Sequence, residues 1–190
     1  MTGQPSPAAI LRLALEHPPT LATGRLVCVD GPAGSGKTTL AAALAAGLDR
    51  LGQGPATVVH MDDLYPGWDG LDRIDPIVLD LLRPLSQGGP GRYRRYDWVA
   101  AAYAEEHVVE PGPLLVLEGV GSGGSAWADL VTSLVWVEAP AALRLERGLD
   151  RDGPAVREEW VRWMADESAL FDRERTRERS DLRVDGTRPY

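Results

Sequence analysis

The stretch GPAGSGKT at residues 31–38 constrains the fold of this 190-residue chain more than any other feature. It fits the pattern G-x-x-x-x-G-K-[ST], and its surroundings fit as well. The apolar run RLVCVD at 25–30 predicts a buried strand, and the Ala- and Leu-rich segment at 37–51 predicts a helix. A strand, a glycine-rich turn and a helix in this order predict a loop whose N–H groups surround an anion.

This loop predicts a nucleoside triphosphate site. Lys37 is the only lysine in the chain, beside 19 arginines, and we expect its slim stem to reach the β- and γ-phosphates where a planar guanidinium does not fit. The hydroxyl of Thr38 is a predicted Mg²⁺ ligand. The residues predicted to bind the nucleotide, with MgATP as the donor, are Gly31, Ala33, Gly34, Ser35, Gly36, Lys37, Thr38 and Thr39.

The charge and composition of the chain argue against some classes of binding partner. The net charge of −8 argues against nucleic acid, which needs a basic face. No apolar stretch reaches the length that spans a bilayer, and no signal pattern is visible at the N-terminus, so we expect no membrane partner. The single cysteine, Cys28, lies in an apolar run, which fits a buried strand residue in a cytoplasmic protein. No pattern indicates an oligomeric state.

Short apolar runs alternate with helical patterns along the chain, which predicts an α/β fold with a parallel sheet covered by helices on both faces. The predicted strands cover 25–30, 56–63, 112–118, 133–140 and 181–186. The predicted helices cover 6–16, 37–51, 75–89, 141–151 and 154–179, and we expect Pro84 to end or kink the third one early. We expect one domain, 1–190, with an irregular substrate-side insertion at 66–110.

Carboxylates follow two of these strands, where the carboxyl ends of parallel strands face a ligand crevice. Either Asp62 or Asp63 could accept the proton of a hydroxyl that attacks the γ-phosphate, while the other holds a water of the Mg²⁺ ion. Glu118, after a later strand, is a predicted ligand of the metal water or of the substrate.

An ordered set of motifs gives a resemblance: GPAGSGKTT (31–39), DDLY (62–65), YDW (96–98), LEG (117–119) and RLERGLDRD (144–152). Together they resemble the uridine kinase-like family, which includes uridine–cytidine kinases and, more distantly, pantothenate kinase and phosphoribulokinase. The resemblance covers about residues 25–152. It implies a P-loop NTPase fold with a five-stranded parallel sheet in the order 2-3-1-4-5, and a phosphotransferase that uses ATP and Mg²⁺.

The resemblance also implies roles for single residues. Asp62 is the implied catalytic base and a metal ligand with Thr38 and Glu118, and Lys37 is catalytic. An arginine-rich lid at 144–153 is implied to close on the phosphates. The implied catalytic lid arginines are Arg147 and Arg151, and the implied substrate residues are Asp63, Tyr65, Tyr96, Asp97 and Glu118.

The acceptor stays open at this point. In uridine–cytidine kinases a histidine that recognises the base follows the YD turn, and this chain has alanine there, in WVAAAY. Asp69, Asp72 and Asp75 are equal candidates for binding an acceptor hydroxyl. A nucleoside similar to uridine or cytidine is the favoured acceptor. Alternatives are a sugar, a vitamin or an antibiotic hydroxyl, or a nucleotide-dependent ATPase or regulatory binding module.

Two aromatic segments have competing interpretations. The segment GRYRRYDW at 91–98 could stack single-stranded nucleic acid, bind an anionic acceptor, or form a turn whose arginines pair with nearby acids. Trp68 and Trp98 are candidates for a pocket wall or for core packing.

On the last long helix, a stripe of residues on one face is predicted to pack on the sheet: Trp160, Trp163, Met164, Glu167 and Phe171.

Overall fold

A five-stranded parallel sheet is the centre of the computed structural model, which describes residues 4–190. The strands of the chain are Arg25–Asp30 (β1), Ala56–His60 (β2), Gly91–Asp97 (β3), Ala102–Val109 (β4), Leu114–Glu118 (β5), Ser133–Glu138 (β6) and Leu182–Asp185 (β7). The main sheet has the order β2-β5-β1-β6-β7, with every neighbouring pair parallel. Counted along the main sheet alone this is 2-3-1-4-5, so the implied strand order is confirmed.

Helices cover both faces of this sheet. They are Pro7–Glu16 (α1), Lys37–Arg50 (α2), Ile74–Ser86 (α3), Ala141–Asp152 (α4), Arg157–Glu174 (α5) and Thr176–Arg179 (α6). The first one begins as predicted, since the Ser6 hydroxyl accepts from the N–H of Ala9 at 3.2 Å. None of the helices within residues 4–190 combines the length and the apolar character needed to cross a membrane.

Strand β1 contributes residues to two hydrophobic cores, one on each face of the sheet. Val27 and Val29 lie in the core formed with α1 and α2, while Leu26 and Cys28 lie in the core formed with α3 and α5. The alternation follows from the two-residue period of a strand. Because both faces of β1 are buried, all of its central residues are apolar.

Residues 66–110 are more regular than predicted. Strands β3 and β4 form a separate antiparallel hairpin, which the sequence analysis did not predict. Helix α3 begins at Ile74 and ends at Ser86, two residues after Pro84 and three residues before the predicted end at 89, so the helix ends early as expected. Proline lacks the N–H that a helix uses and its ring clashes with the carbonyl four residues earlier, so an end of the helix soon after Pro84 is expected.

The predicted long helix at 154–179 is divided in two. Arg175 has a positive φ of 52° and separates α5 from α6. Its N–H donates to the carbonyl of Phe171 at 2.8 Å and closes the last turn of α5. No glycine or proline marks this position, so the break could not be predicted from the sequence pattern.

Candidate functional site

The glycine-rich loop between β1 and α2 has the backbone of an anion cradle. Gly31, Gly34 and Gly36 have φ values of 138°, 75° and 102°, which L-residues with a side chain rarely adopt. A Cβ on Gly34 would lie 2.6 Å from the carbonyl oxygen of Arg144. Helix α2 begins at Lys37, so its first N–H groups point toward the loop.

Lys37 lies inside this loop. Its side chain is nearly buried, with 7% exposed, and its ammonium donates to the carbonyl of Pro32 at 2.9 Å. The positive charge is therefore held at the centre of the curve that the backbone makes. This is the position that a phosphate-binding lysine requires.

A network of three side chains crosses from β2 to α2. The Thr38 hydroxyl donates to Oε1 of Glu118 at 3.0 Å, and Nδ1 of His60 lies 2.5 Å from the same oxygen. The hydrogen bond to Glu118 raises the pKa of His60. No sequence motif pointed to His60. Its position at the end of β2, in register with Glu118 on β5, was the available signal.

Asp62 and Asp63 lie in a short 3₁₀ turn, Met61–Asp63, that follows β2. The Asp62 carboxylate is accessible from the cleft but surrounded by protein, and this environment raises its pKa, although the charge of Lys37 opposes the shift. The indole N–H of Trp98 donates to the backbone carbonyl of Asp62 at 2.9 Å. The hairpin β3–β4 therefore fixes the backbone of the predicted base.

Three arginines on α4 face the loop, at positions 144, 147 and 151. Arg147 donates to the carbonyls of Gly34, at 3.1 Å, and Gly186, at 3.2 Å. Arg151 forms a bidentate pair with Asp152, with nitrogen–oxygen distances of 2.7 and 3.0 Å, and lines the same cleft. Both predicted lid arginines therefore line the cleft, and Arg147 contacts the glycine-rich loop directly.

Glu167 is a second residue whose role the sequence did not reveal. Its side chain, predicted to lie in an apolar stripe, is buried instead against the glycine-rich loop. One oxygen accepts from the N–H of Ala33 at 2.8 Å, and the other accepts from Arg144 at 2.7 Å. Because a buried pair needs all its hydrogen bonds, this arrangement fixes the outer edge of the loop to α4 and α5.

The cleft has a volume of about 980 Å³ and gathers most of the predicted site residues. Its far end is lined by residues 186–190, and the hydroxyl of Tyr190 donates to the carbonyl of Gly36 at 3.1 Å. The predicted site residues that line it are Ala33, Gly34, Gly36, Lys37, Thr38, Thr39, Asp62, Asp63, Glu118, Arg147 and Arg151. Gly31 and Ser35 also belong to the glycine-rich loop, but both are buried and neither lines the cleft.

The structure does not bring Tyr65, Tyr96 and Asp97 to the cleft wall. Tyr65 is fully buried, its ring packs edge-on against Trp163, and its hydroxyl donates to the carbonyl of Val120. Tyr96 lies behind Trp98, with a centroid distance of 5.5 Å. Asp97 accepts from two N–H groups of the hairpin turn, at 3.0 and 2.8 Å, because a carboxylate satisfies an exposed turn well.

The alternative acceptor aspartates lie outside the cleft as well. Asp72 pairs with Arg173 at 3.2 Å, and neither Asp69 nor Asp75 lines the cavity. The arginines of the hairpin form cross-strand pairs with acids, such as Arg95 with Glu105 at 2.7 Å. The third interpretation of segment 91–98, in which its arginines pair with nearby acids, therefore describes the structure, although the segment is a strand and not a turn.

The oxygen donors of the cleft fit Mg²⁺. Thr38, Glu118 and Asp62 supply a hydroxyl and two carboxylates, the hard ligands that this ion prefers. Within residues 4–190 no group of three or more His, Cys, Asp or Glu side chains is close enough to hold a metal alone. Phosphate oxygens would complete the coordination, as is usual for Mg²⁺ bound with a nucleotide.

Asp30 joins the glycine-rich loop to the loop after β5. It is fully buried, and its carboxylate accepts from the N–H groups of Gly31, Gly121 and Gly123 at 2.7 to 2.8 Å. Burial raises its pKa to about 6, although these three donors and the charge of Lys37 favour the ionised form. The carboxylate therefore connects two loops of the cleft at an energetic cost that depends on pH.

A stability measurement checks this assignment. Because the folded pKa is about 6 and the unfolded one about 4, the folded state retains a proton that the unfolded state releases. The contribution of Asp30 to the free energy of unfolding should fall as the pH rises from about 4 to about 6, by roughly 3 kcal/mol. Urea unfolding should show the stability of wild type falling relative to that of Asp30→Asn over this interval, because the asparagine does not titrate. A difference that does not change with pH would contradict the assignment.

Comparison with known proteins gives matches to solved structures. No family model matches the chain, and no curated protein matches it. A possible uridine kinase from Bacillus stearothermophilus has a TM-score of 0.67 at 19% identity, covering 92% of this chain and 95% of its own. A candidate fructose transport system kinase from Silicibacter sp. TM1040 has a TM-score of 0.60 at 23% identity, covering 95% and 97%.

The chain therefore shares its fold with these two proteins. The α/β architecture and the family resemblance that the sequence indicated are confirmed at the level of the fold. At these identities the comparisons concern the fold alone, so the reaction and the acceptor are argued from the residues of the cleft.

Proposed function

We propose that this protein is an ATP-dependent kinase that transfers the γ-phosphoryl group of MgATP to a hydroxyl of a small molecule. The observation that carries the proposal is the convergence in one cleft of a phosphate-binding loop and a carboxylate, Asp62, at the end of the neighbouring strand β2. A carboxylate in this position suits a base that accepts the proton of an attacking hydroxyl.

The other residues of the cleft suit the charge of a phosphoryl group. Lys37, Arg147 and Arg151 place three cationic side chains around the loop. When bound, Mg²⁺ supplies further charge neutralisation at the phosphates. Thr38 and Glu118 would hold it, and His60 orients Glu118 through their hydrogen bond. In phosphoryl transfer most of the acceleration comes from positioning and electrostatics, so these roles suffice for catalysis.

The space beyond Asp62 favours a kinase over an enzyme that hydrolyses ATP. Apolar and aromatic side chains, including Trp68, Trp98 and Trp163, line the cleft on that side. Such a lining suits an organic acceptor and disfavours water. Closure of α4 toward the loop, as a lid, is part of the proposal because an open cleft would let water compete with the acceptor.

A panel assay tests the proposal. We expect ADP formation to rise above the basal rate when one of a set of nucleosides, vitamins, sugars and amino sugars is added with MgATP, and to stop when EDTA removes Mg²⁺. Mass spectrometry should find the added compound heavier by one phosphoryl group. Uridine and cytidine belong in the panel because a nucleoside is the acceptor that the sequence resemblance implies. If ADP formation is the same with every compound and no product is phosphorylated, a hydrolase is the better description.

A further inference from the structure

The acceptor side of the cleft contains a corner of tryptophan rings. Trp68 lies 5.3 Å from Trp98 and 5.9 Å from Trp163 between ring centroids, and its plane is inclined by 71° and 80° to theirs. All three line the cavity. We call these three residues the tryptophan box. Rings that meet nearly at right angles present faces and edges to a common space, and the face of tryptophan attracts organic cations more than any other side chain's ring.

Two carboxylates beside the box have no partner within residues 4–190. Neither Asp62 nor Asp63 makes a side-chain hydrogen bond or an ion pair there, although both line the cleft. Arg95, on the nearby strand β3, is engaged by Glu105 at 2.7 Å and by Asp97 at 3.7 Å. The charges of Lys37 and Arg151 act on Asp62 across the cleft, so the carboxylate available to a cation beside the aromatic wall is that of Asp63.

The cavity offers few neutral groups that could recognise a nucleobase. Among the described residues that line it there is no histidine, asparagine or glutamine, and the neutral side chains there that combine a donor with an acceptor are the hydroxyls of Thr38, Thr39, Thr187 and Tyr190. The indole N–H of Trp98 is already used by the carbonyl of Asp62. None of these hydroxyls belongs to the tryptophan box, so a neutral base such as uracil would find stacking surfaces there but no amide or imidazole partner.

We propose that the acceptor of this cleft is a hydroxyl compound that also carries an organic ammonium group, held between the tryptophan box and Asp63. This inference rests on the proposed kinase function, since it names the class of the acceptor. Asp62 is then left for the hydroxyl, and Asp63 for the cation, which gives the two neighbouring carboxylates different roles. The balanced reaction transfers the γ-phosphoryl group from ATP to the hydroxyl oxygen, releasing ADP and the hydroxyl proton.

Matched probes that differ in charge test the proposal. Choline and 3,3-dimethylbutan-1-ol have the same shape, and glucosamine and glucose differ by one amino group. We expect calorimetry with Mg²⁺ and a non-hydrolysable ATP analogue to show the cationic member of at least one pair binding about tenfold more tightly than the neutral one. Equal binding within both pairs, preferential binding of uridine, or no binding of either cation at millimolar concentration would overturn the proposal.

Variants assign the preference to the box and its carboxylate. Asp63→Asn keeps the shape and removes the charge, so we expect it to reduce the preference for the cation to about threefold or less. Asp69→Asn is the matched control, because Asp69 is exposed on the following loop and does not line the cleft. If the two variants behave alike, Asp63 does not hold the cation.

The same experiment separates this inference from the proposed function. Cation-selective binding that never leads to a phosphorylated product would support the inference about the pocket and contradict the kinase. Phosphorylation of a neutral member as efficiently as its cationic partner would support the kinase and contradict the inference. Both readouts come from the same probes, so neither failure can be mistaken for the other.

Discussion

Replacing Asp62 by asparagine should lower the turnover of the acceptor-stimulated reaction by about 10²- to 10⁴-fold. Asparagine has nearly the same shape but cannot accept the proton of the attacking hydroxyl. Trp98 donates to the backbone carbonyl of Asp62, so the substitution leaves that contact in place. The affinity for ATP without Mg²⁺ should change little, because the glycine-rich loop and Lys37 do not depend on this carboxylate.

The measurement is initial-rate kinetics with the acceptor that the panel identifies, together with a direct titration of ATP in the absence of Mg²⁺. Asp69→Asn controls for the loss of one negative charge near the cleft, and we expect it to keep the wild-type rate. Turnover of Asp62→Asn within a few fold of wild type would show that another group accepts the proton. Asp63, its neighbour, would then be the first candidate.

The fold was predictable because its main signals are local. The run at 25–30, the loop at 31–38 and the helix that follows each specify their conformation within a few residues. Glycine positions with positive φ and the need to bury both faces of β1 leave few alternatives. The strand order came from the family resemblance, since local patterns do not determine which strands become neighbours.

The hairpin β3–β4 could not be predicted in the same way. Its strands carry charged residues at positions where a half-buried strand usually has apolar ones. These charges are neutralised by cross-strand pairs, such as Arg92 with Glu106 at 2.7 Å. Such pairs exist only once the strands are in register. The cleft depends on this hairpin, because its turn supplies Trp98, whereas Tyr96 and Asp97 support the turn from behind.

The roles of Glu167 and His60 could not be predicted for the same reason, because their partners are distant in sequence. Spacing along α5 places Glu167 on an apolar face, which suggested packing on the sheet, but its partners come from distant parts of the chain. His60 becomes informative only when β2 and β5 are known to be neighbours. Sequence patterns identified the residues of the glycine-rich loop well, while residues that act through partners far away in sequence required the three-dimensional arrangement.

Replacing Lys37 by arginine should lower turnover by about 10²- to 10³-fold, the cost of removing one positioned charge at a phosphoryl group. The charge is kept in this variant, so the loss would come from shape. The ammonium lies inside the loop, 2.9 Å from the carbonyl of Pro32, with only 7% of the residue exposed. A planar guanidinium is wider and holds its donors in a fixed fork, so it cannot enter without opening the loop.

Two further variants separate charge from shape. Lys37→Met keeps a slim stem without the charge, and we expect it to bind MgATP more weakly and to lose turnover as well. Arg50→Lys makes the reverse exchange at the exposed end of the same helix and should have wild-type kinetics. Urea unfolding of each variant shows whether the fold is kept. If Lys37→Arg is as active as wild type, the loop accepts either cation, and the single lysine among 19 arginines is not explained by the geometry of the phosphate site.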